Sequence, residues 1–388
     1  MPFIGNQPTA VPLSADDLED NIISTAKIQD NAVTPAKYIE PVPFRNIIIN
    51  GDMSIAQRGT SESGITSGNI YHTVDRFLSN VELGTWTQSQ STDVPTGQGF
   101  SNSLKMDCTT ADASPSANDV LQIQQRFEGQ NLQYLKKGTS NAESLTLSFW
   151  VKSNKTGTYI IEVQDTDNDR IICKSYTVSA SSTWEKKTIT FAGDTTGAFN
   201  NDNALSLLLI FWLSAGTDFT TGTLATDWES RTNANRAVGQ VNLADSTSND
   251  FYITGVQLEA GTTASDFEFL PYDVNLQRCQ RYYNVLRDGV GVITNAISYS
   301  STKLYAVVPV SPPLRTTPSL DQVSGTNYYG YINVSTTDSF DAFEISGTES
   351  KDNAIRINNS DNVAITAGQS GWIRITNSSG YLALDAEL

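Results

Sequence analysis

The stretch Asn249-Asp-Phe-Tyr-Ile-Thr-Gly-Val-Gln-Leu-Glu-Ala-Gly-Thr-Thr-Ala-Ser-Asp-Phe-Glu-Phe-Leu-Pro-Tyr272, continuing into Asn275-Leu-Gln-Arg-Cys-Gln-Arg-Tyr-Tyr283, decides how the chain is read. Phe251, Ile253, Val256 and Leu258 are apolar, with Thr254, Gln257 and Glu259 between them, which is the alternation of a strand. The pattern slips by one residue at Gly255, where a strand glycine commonly marks a bulge. This is the profile of the last strand of a large β domain. After Pro271 the composition turns to Arg and Tyr, and a second β-type region begins. The stretch is therefore a seam between two β regions.

Upstream, strand patterns recur at Leu104–Asp107, Val120–Phe127, Ser144–Lys152, Tyr159–Gln164, Ile171–Val178, Glu185–Phe191 and Leu205–Leu213, separated mostly by Gly, Asn, Asp, Ser and Thr. Short strands at this spacing, with no helical-period segment, predict an antiparallel sandwich. Leu145, Leu147, Phe149 and Val151 fall on one face of their strand. Phe44–Gly59 reads as a buried strand followed by an Asn-Gly turn.

Of the 388 residues, 38% are hydrophobic and 17% charged, too apolar for a disordered chain. A formal charge of −17 argues against nucleic-acid binding and against adhesion to anionic lipid. No run of about 18 apolar residues is present, so no membrane insertion is expected. Met1-Pro-Phe-Ile-Gly-Asn lacks the basic and apolar regions of a signal peptide, so synthesis in a cytosol is expected. Cys108, Cys173 and Cys279 are widely spaced and read as buried thiols, with neither a disulfide framework nor a metal site.

The first 43 residues differ from the rest. Leu18-Glu-Asp-Asn-Ile-Ile-Ser-Thr-Ala-Lys27 and Ile28-Gln-Asp-Asn-Ala-Val-Thr-Pro-Ala-Lys37 align without gaps at a ten-residue period. One thin chain cannot bury Ile22, Ile23, Ile28 and Val33, so neighbouring copies are expected to cover them, as in a homotrimeric stalk. Phe3 and Ile4 lie in a plausible docking peptide ahead of the repeat, and Pro41-Val-Pro43 is a stiff hinge.

Several segments in order carry a family resemblance: Asn46-Ile-Ile-Ile-Asn-Gly-Asp-Met, Leu147-Ser-Phe-Trp-Val-Lys, Ser182-Thr-Trp-Glu-Lys and Val256-Gln-Leu-Glu-Ala-Gly, then Phe269-Leu-Pro-Tyr272 and Cys279-Gln-Arg-Tyr-Tyr283. Together they resemble the jelly-roll, carbohydrate-binding-module-like domain of bacteriophage tail fibres, over roughly Phe44 to Tyr283. The segment Lys303–Leu320, with its Pro-Leu-Arg-Thr-Thr-Pro corner, looks like the distal domain that follows this signature. The resemblance implies an all-β virion fibre: an arm over residues 1–43, a jelly roll over 44–272, a helical connector over 273–287 and a distal receptor-binding β domain over 288–388. It implies attachment to a host surface polysaccharide or lipopolysaccharide, docking to a tail or adaptor protein, and assembly in the host cytoplasm into the virion. A capsid or tail-nozzle fibre with a structural role, and a depolymerase tailspike, are the alternatives.

No nucleophile, phosphate or zinc motif is present, and no spacing singles out a carboxylate pair among 42 acids, so neither catalysis nor a cofactor is expected. His72 reads as a surface or loop histidine. Asp165-Thr-Asp-Asn-Asp169 alternates oxygen ligands but lacks the glycine and distant glutamate of a calcium loop, and reads as a hairpin turn. Sugar rings stack on exposed aromatic faces. In each of the pairs Phe149-Trp150 and Phe211-Trp212 one ring must face outward. The candidate glycan contacts are Trp212 and the cluster Tyr328, Tyr329 and Tyr331, which is polar-flanked and loop-like. Arg278 and Arg281 are candidate trimer contacts, and Leu276, Cys279, Tyr283 and Leu286 define one face of a helical turn over 275–286.

Overall fold

A computed structural model of the protein describes residues 44–388. The leader repeat and hinge lie outside the described residues, as do Phe3, Ile4, Ile22, Ile23, Ile28 and Val33.

The Asp250–Ala260 strand sits inside a six-stranded sheet, here the front sheet, of order Ser61–Ile65, Thr85–Ser91, Ser103–Thr110, Asp250–Ala260, Leu145–Ser153, Glu185–Phe191. Facing it is a seven-stranded back sheet of order Glu229–Ser230, Arg170–Val178, Gly157–Asp165, Leu205–Ala215, Val120–Glu128, Leu78–Val81, Gly68–Tyr71. Neighbouring strands in both are antiparallel. The chain crosses repeatedly between the layers, giving the jelly-roll sandwich. Alternation decides what fills it: Leu147, Phe149 and Val151 from the front meet Ile161, Leu209 and Phe211 from the back, all buried.

Gly255 is the expected bulge. Register against Leu145–Ser153 shifts between Thr254 and Gln257. Its φ is +61°, and a Cβ there would lie 2.5 Å from Cζ of Phe100. Both the backbone and the space demand glycine.

Phe44–Gly59 departs from expectation. It forms no regular strand; side chains satisfy its backbone instead. Asn46 Oδ1 accepts from the N–H groups of Ile48 and Leu258, both at 3.0 Å. The amide of Gln125 both accepts from Ile49 N–H (2.8 Å) and donates to its carbonyl (3.0 Å). An apolar run read as a strand is here a bent segment wedged against the sandwich edge.

The outer face of the back sheet is covered. Ile160, Cys173, Leu208, Ile210 and Trp212 form a second apolar cluster with Ala225 and Ala237 from the long excursion between Ala215 and Asp250. Beneath it, buried Glu162 accepts from Trp212 Nε1 (2.9 Å) and pairs with Arg236 Nε at 3.0 Å.

The connector helix spans Tyr272–Gln280 and is shorter than its sequence periodicity suggests. Tyr283 already belongs to a strand, Tyr283–Asp288, the first of a second sandwich. That sandwich has a three-stranded sheet (Tyr283–Asp288, Tyr381–Asp385, Ser319–Val323) and a seven-stranded sheet of order Thr337–Phe340, Tyr329–Ile332, Ser370–Ile375, Gly291–Ser298, Leu304–Pro309, Ala354–Asn359, Phe343–Ile345. Residues Phe44–Leu388 pack as one compact unit.

Candidate functional site

The basic segment after the first sandwich is turned inward. Arg281 donates from Nε and Nη2 to the two oxygens of Glu128, at 2.8 and 2.7 Å, and Tyr282 Oη donates to Glu128 Oε1 at 2.5 Å. Burial pushes the Glu128 carboxyl up, but the bonds from Arg281 and Tyr282 outweigh it and hold the group below its ordinary value. On the other side Tyr283 Oη lies 2.6 Å from Asp321 Oδ2 and 2.7 Å from Tyr381 Oη, both in the second sandwich. Arg58 reaches across to Asp385 (3.5 Å) and Glu387 (3.4 Å), and Arg76 pairs with Glu387. The Cys-Gln-Arg-Tyr-Tyr run is thus a clamp between sandwiches within one chain. The expectation that Arg281 pairs with a carboxylate of a neighbouring chain is corrected in one respect: its bidentate partner, Glu128, lies in the same chain. Arg278 lies against the sandwich edge, with Nη2 3.3 Å from the Asn46 carbonyl.

The predicted aromatic contacts are also corrected. Trp212 does face outward from its strand, but the excursion over the back sheet buries it completely. Tyr329 and Tyr331 are fully buried in the Tyr329–Ile332 strand, with their hydroxyls on the carbonyls of Tyr381 (2.8 Å) and Gln369 (3.1 Å). Tyr328 is half-buried and packs on the same core. None of Trp212, Tyr329 and Tyr331 offers a ring face to a sugar.

The other member of the adjacent-pair rule is the one that reaches solvent. Phe149 points into the core and Trp150 out of the front sheet, where it is half-buried. Cross-strand partners of Trp150 are Thr254 and Lys186, and those of the neighbouring Lys152 include Tyr252. Just before the Glu185–Phe191 strand, half-buried Trp184 meets Tyr252 edge-on at 6.1 Å between centroids. Asp93 fixes this corner: it accepts from Trp184 Nε1 at 3.0 Å and pairs with Lys152. Lys152 Nζ lies 4.3 Å from the Tyr252 ring centre and 5.6 Å from that of Trp184. Burial raises the Asp93 carboxyl, while Lys152 and Trp184 outweigh it and keep the group below the ordinary range. Lys105, paired with Asp107 at 2.9 Å, closes the other side. Around the aromatics stand exposed Lys186, Thr188 and Thr190. The arrangement is a fixed aromatic corner on an open polar sheet, rich in donors and acceptors. The rest of this face is roofed by the chain after Ala260: Gln257 and Glu259 hold Ser265, and Glu268 N–H donates to Gln257 Oε1 at 2.8 Å.

Other titratable groups are engaged structurally. His72 is buried, not at the surface, with Nδ1 3.0 Å from Glu62, because its strand end faces the seam. In the Asp165–Asp169 turn, Asp165 is buried against Lys137 (2.5 Å) and accepts from the N–H groups of Asp167 and Asn168, while Asp169 pairs with Arg231 (2.6 Å). A cleft of about 790 Å³ opens between the sandwiches, but its Asp321 and Asp385 are held by Tyr283 and Arg58. Among the described residues no group of three or more His, Cys, Asp or Glu could hold a metal ion.

No family model matches the sequence, and no curated protein matches it. Similar solved structures include the enzymatically active domain of tailspike protein 4 of bacteriophage CBA120 (12% identity over 56% of this chain, TM-score 0.30). The chain spans 22% of that tailspike's length. A family 11 carbohydrate-binding module from Clostridium thermocellum, in complex with a mixed-linked tetrasaccharide, is 12% identical over 53% of this chain and 98% of its own, with a TM-score of 0.25. A xylan-binding domain of family 22 is 12% identical over 54% of this chain and 99% of its own, with a TM-score of 0.27.

Proposed function

We propose that the protein is a bacteriophage fibre subunit that adheres to host surface polysaccharide or lipopolysaccharide, with the front-sheet corner around Trp150 and Trp184 as its glycan site. The observation that carries the reading is that corner. Two half-exposed tryptophans, Trp184 held by Asp93 beside Lys152 and Trp150 on the adjoining strand, stand on a sheet otherwise lined by hydroxyls and ammonium groups. A pyranose ring presents an apolar face for stacking and a rim of hydroxyls for hydrogen bonds, and such a surface meets both. The signature segments quoted above support the fibre assignment, and the ten-residue leader repeat supports a homotrimer whose arm docks to a tail or adaptor protein in the virion. The action is adhesion without catalysis: three weak sites on one particle give avidity where one site would not hold.

The test is binding of the full chain to immobilised neutral glycans and host polysaccharide, with Trp150→Ala and Trp184→Ala beside it. Each variant is expected to weaken binding about tenfold, the size of one lost stacking contact with its burial. Binding that is unchanged in both variants would sink the front-sheet site. Sedimentation of the intact chain as a stable monomer would sink the homotrimer.

A further inference from the structure

We infer that the second sandwich carries a separate site for an anionic sugar, built on the outer face of its seven-stranded sheet around Trp372 and Arg374. The site stands independently of the front-sheet corner.

Strand alternation places Ser370, Trp372 and Arg374 of one strand on the same face. Trp372 is 55% exposed, unusual for the largest side chain on a sheet with solvent beyond it. Its direct cross-strand neighbours are Asn295 on one side and Ile332 on the other. One pair further along, Ser370 faces Ile297, and Ile297 in turn faces Tyr305. Tyr305 is stacked on the 65% exposed Tyr299 at 4.3 Å between centroids and 17° between planes. The face therefore carries aromatic and aliphatic groups, with amides and hydroxyls set between them.

Arg374 supplies the specificity. Its side chain starts opposite Gly330 and Val292, and a Cβ added at Gly330 would touch its Cγ at 3.9 Å, so it lies across a position with no side chain of its own. Among the described residues it has neither an ion pair nor a hydrogen-bond acceptor, and its Nε is buried without one. The contrast with Arg356, three strands away in the same sheet, is informative: it lies over the Tyr305 ring at 4.0 Å and is neutralised by Glu349. A guanidinium is a planar fork suited to a carboxylate or phosphate oxygen pair. One left without an acceptor in a chain of net charge −17, two residues from an exposed tryptophan, is a charge awaiting its counterpart. A sugar ring on Trp372 carrying a carboxylate or phosphate would complete both. A second copy of the chain pressed on this face would cover the apolar groups, but it would leave Arg374 and Asn295 needing partners.

The experiment titrates the full chain with an oligogalacturonate, its carboxyl-reduced neutral form and a phosphomannan, at low and at physiological salt. The expected result is binding of at least one anionic chain, weakened by salt. Reduction of the carboxyls should remove the Arg374-dependent part of the first. Arg374→Gln should weaken anionic binding about tenfold or more, the loss of one charge-assisted pair. Trp372→Ala should weaken it as well, while Trp150→Ala should leave it unchanged. Failure of both anionic chains to bind, or binding indifferent to Arg374→Gln, overturns the site. So does sedimentation in which Trp372→Ala turns an oligomer into a monomer, which would make the face a contact between copies. Because the neutral-glycan test reads Trp150 and Trp184 alone, either site can fail without the other.

Discussion

Glu128 shows how one side chain can hold two sandwiches. It ends a back-sheet strand with no exposed surface, and three donors from Arg281 and Tyr282 converge on it. Glu128→Gln keeps the shape but leaves Arg281 without its counter-charge. The expected cost is about 2–4 kcal/mol, read by urea unfolding. The pH dependence has a definite sign. Because the folded carboxyl sits below its ordinary value of 4.5, its stabilisation is complete above that pH and is lost as pH falls through the lowered value. The difference in Tm between wild type and Glu128→Gln should therefore shrink below about pH 4.5. Gly255→Ala is expected to cost about 1–3 kcal/mol, since it combines a left-handed backbone with a clash against Phe100. A denaturation midpoint equal to wild type would contradict that. At this scale the sequence was informative but incomplete. Alternation shows that one ring of Phe149-Trp150 and one of Phe211-Trp212 points outward; it carries no sign of the distant excursion that roofs Trp212 and leaves Trp150 open.

Elements were legible wherever a period ran long enough. Glu185–Phe191 appears with the predicted ends, and the strands around Val120, Tyr159, Ile171, Leu205 and Phe251 differ by a residue or two. The short strands Ser61–Ile65, Gly68–Tyr71 and Leu78–Val81 were not, because four or five residues carry too little alternation to separate them from turns. Phe44–Gly59 failed for another reason: Asn46, Asn50 and Gln125 satisfy its backbone through side chains, a pattern that hydrophobicity cannot encode. The tyrosine cluster around Tyr329 misled in the opposite direction, since its polar flanks conceal a strand whose hydroxyls find buried carbonyls. A prediction belongs here. Arg236 ties the back-sheet cover to buried Glu162, so Arg236→Met leaves a buried carboxylate with only Trp212 as donor. The cover between Ala215 and Asp250 should then open first, seen as faster amide exchange and earlier proteolysis there than in the front sheet.

For the molecule as a whole, the composition and strand spacing predicted two β regions, and the structure joins them tightly. The clamp residues read as a helical connector because Leu276, Cys279, Tyr283 and Leu286 share a helical period; the helix in fact stops at Gln280 so that Tyr282 and Tyr283 can face opposite sandwiches. With Arg58, Arg76 and Arg281 all crossing the seam, residues 44–388 should melt in a single calorimetric transition. Arg281→Ala should split it into two. Two transitions already present in the wild type would mean that the clamp is weaker than its geometry implies.

The pairing of Tyr283 with Asp385 has an evolutionary consequence. The chain leaves the first sandwich and comes back to it at one point, since the strand that enters the second sandwich lies beside the strand that exits, and Glu387 then returns to Arg58 and Arg76. Everything between is a loop in the topological sense. Such a module can be exchanged by recombination at two spots side by side on paired strands, with the jelly roll untouched, provided that the incoming module restores the partners that Asp321 and Tyr381 give Tyr283. The second sandwich is in this sense a cassette, set into the first between Tyr283 and Asp385.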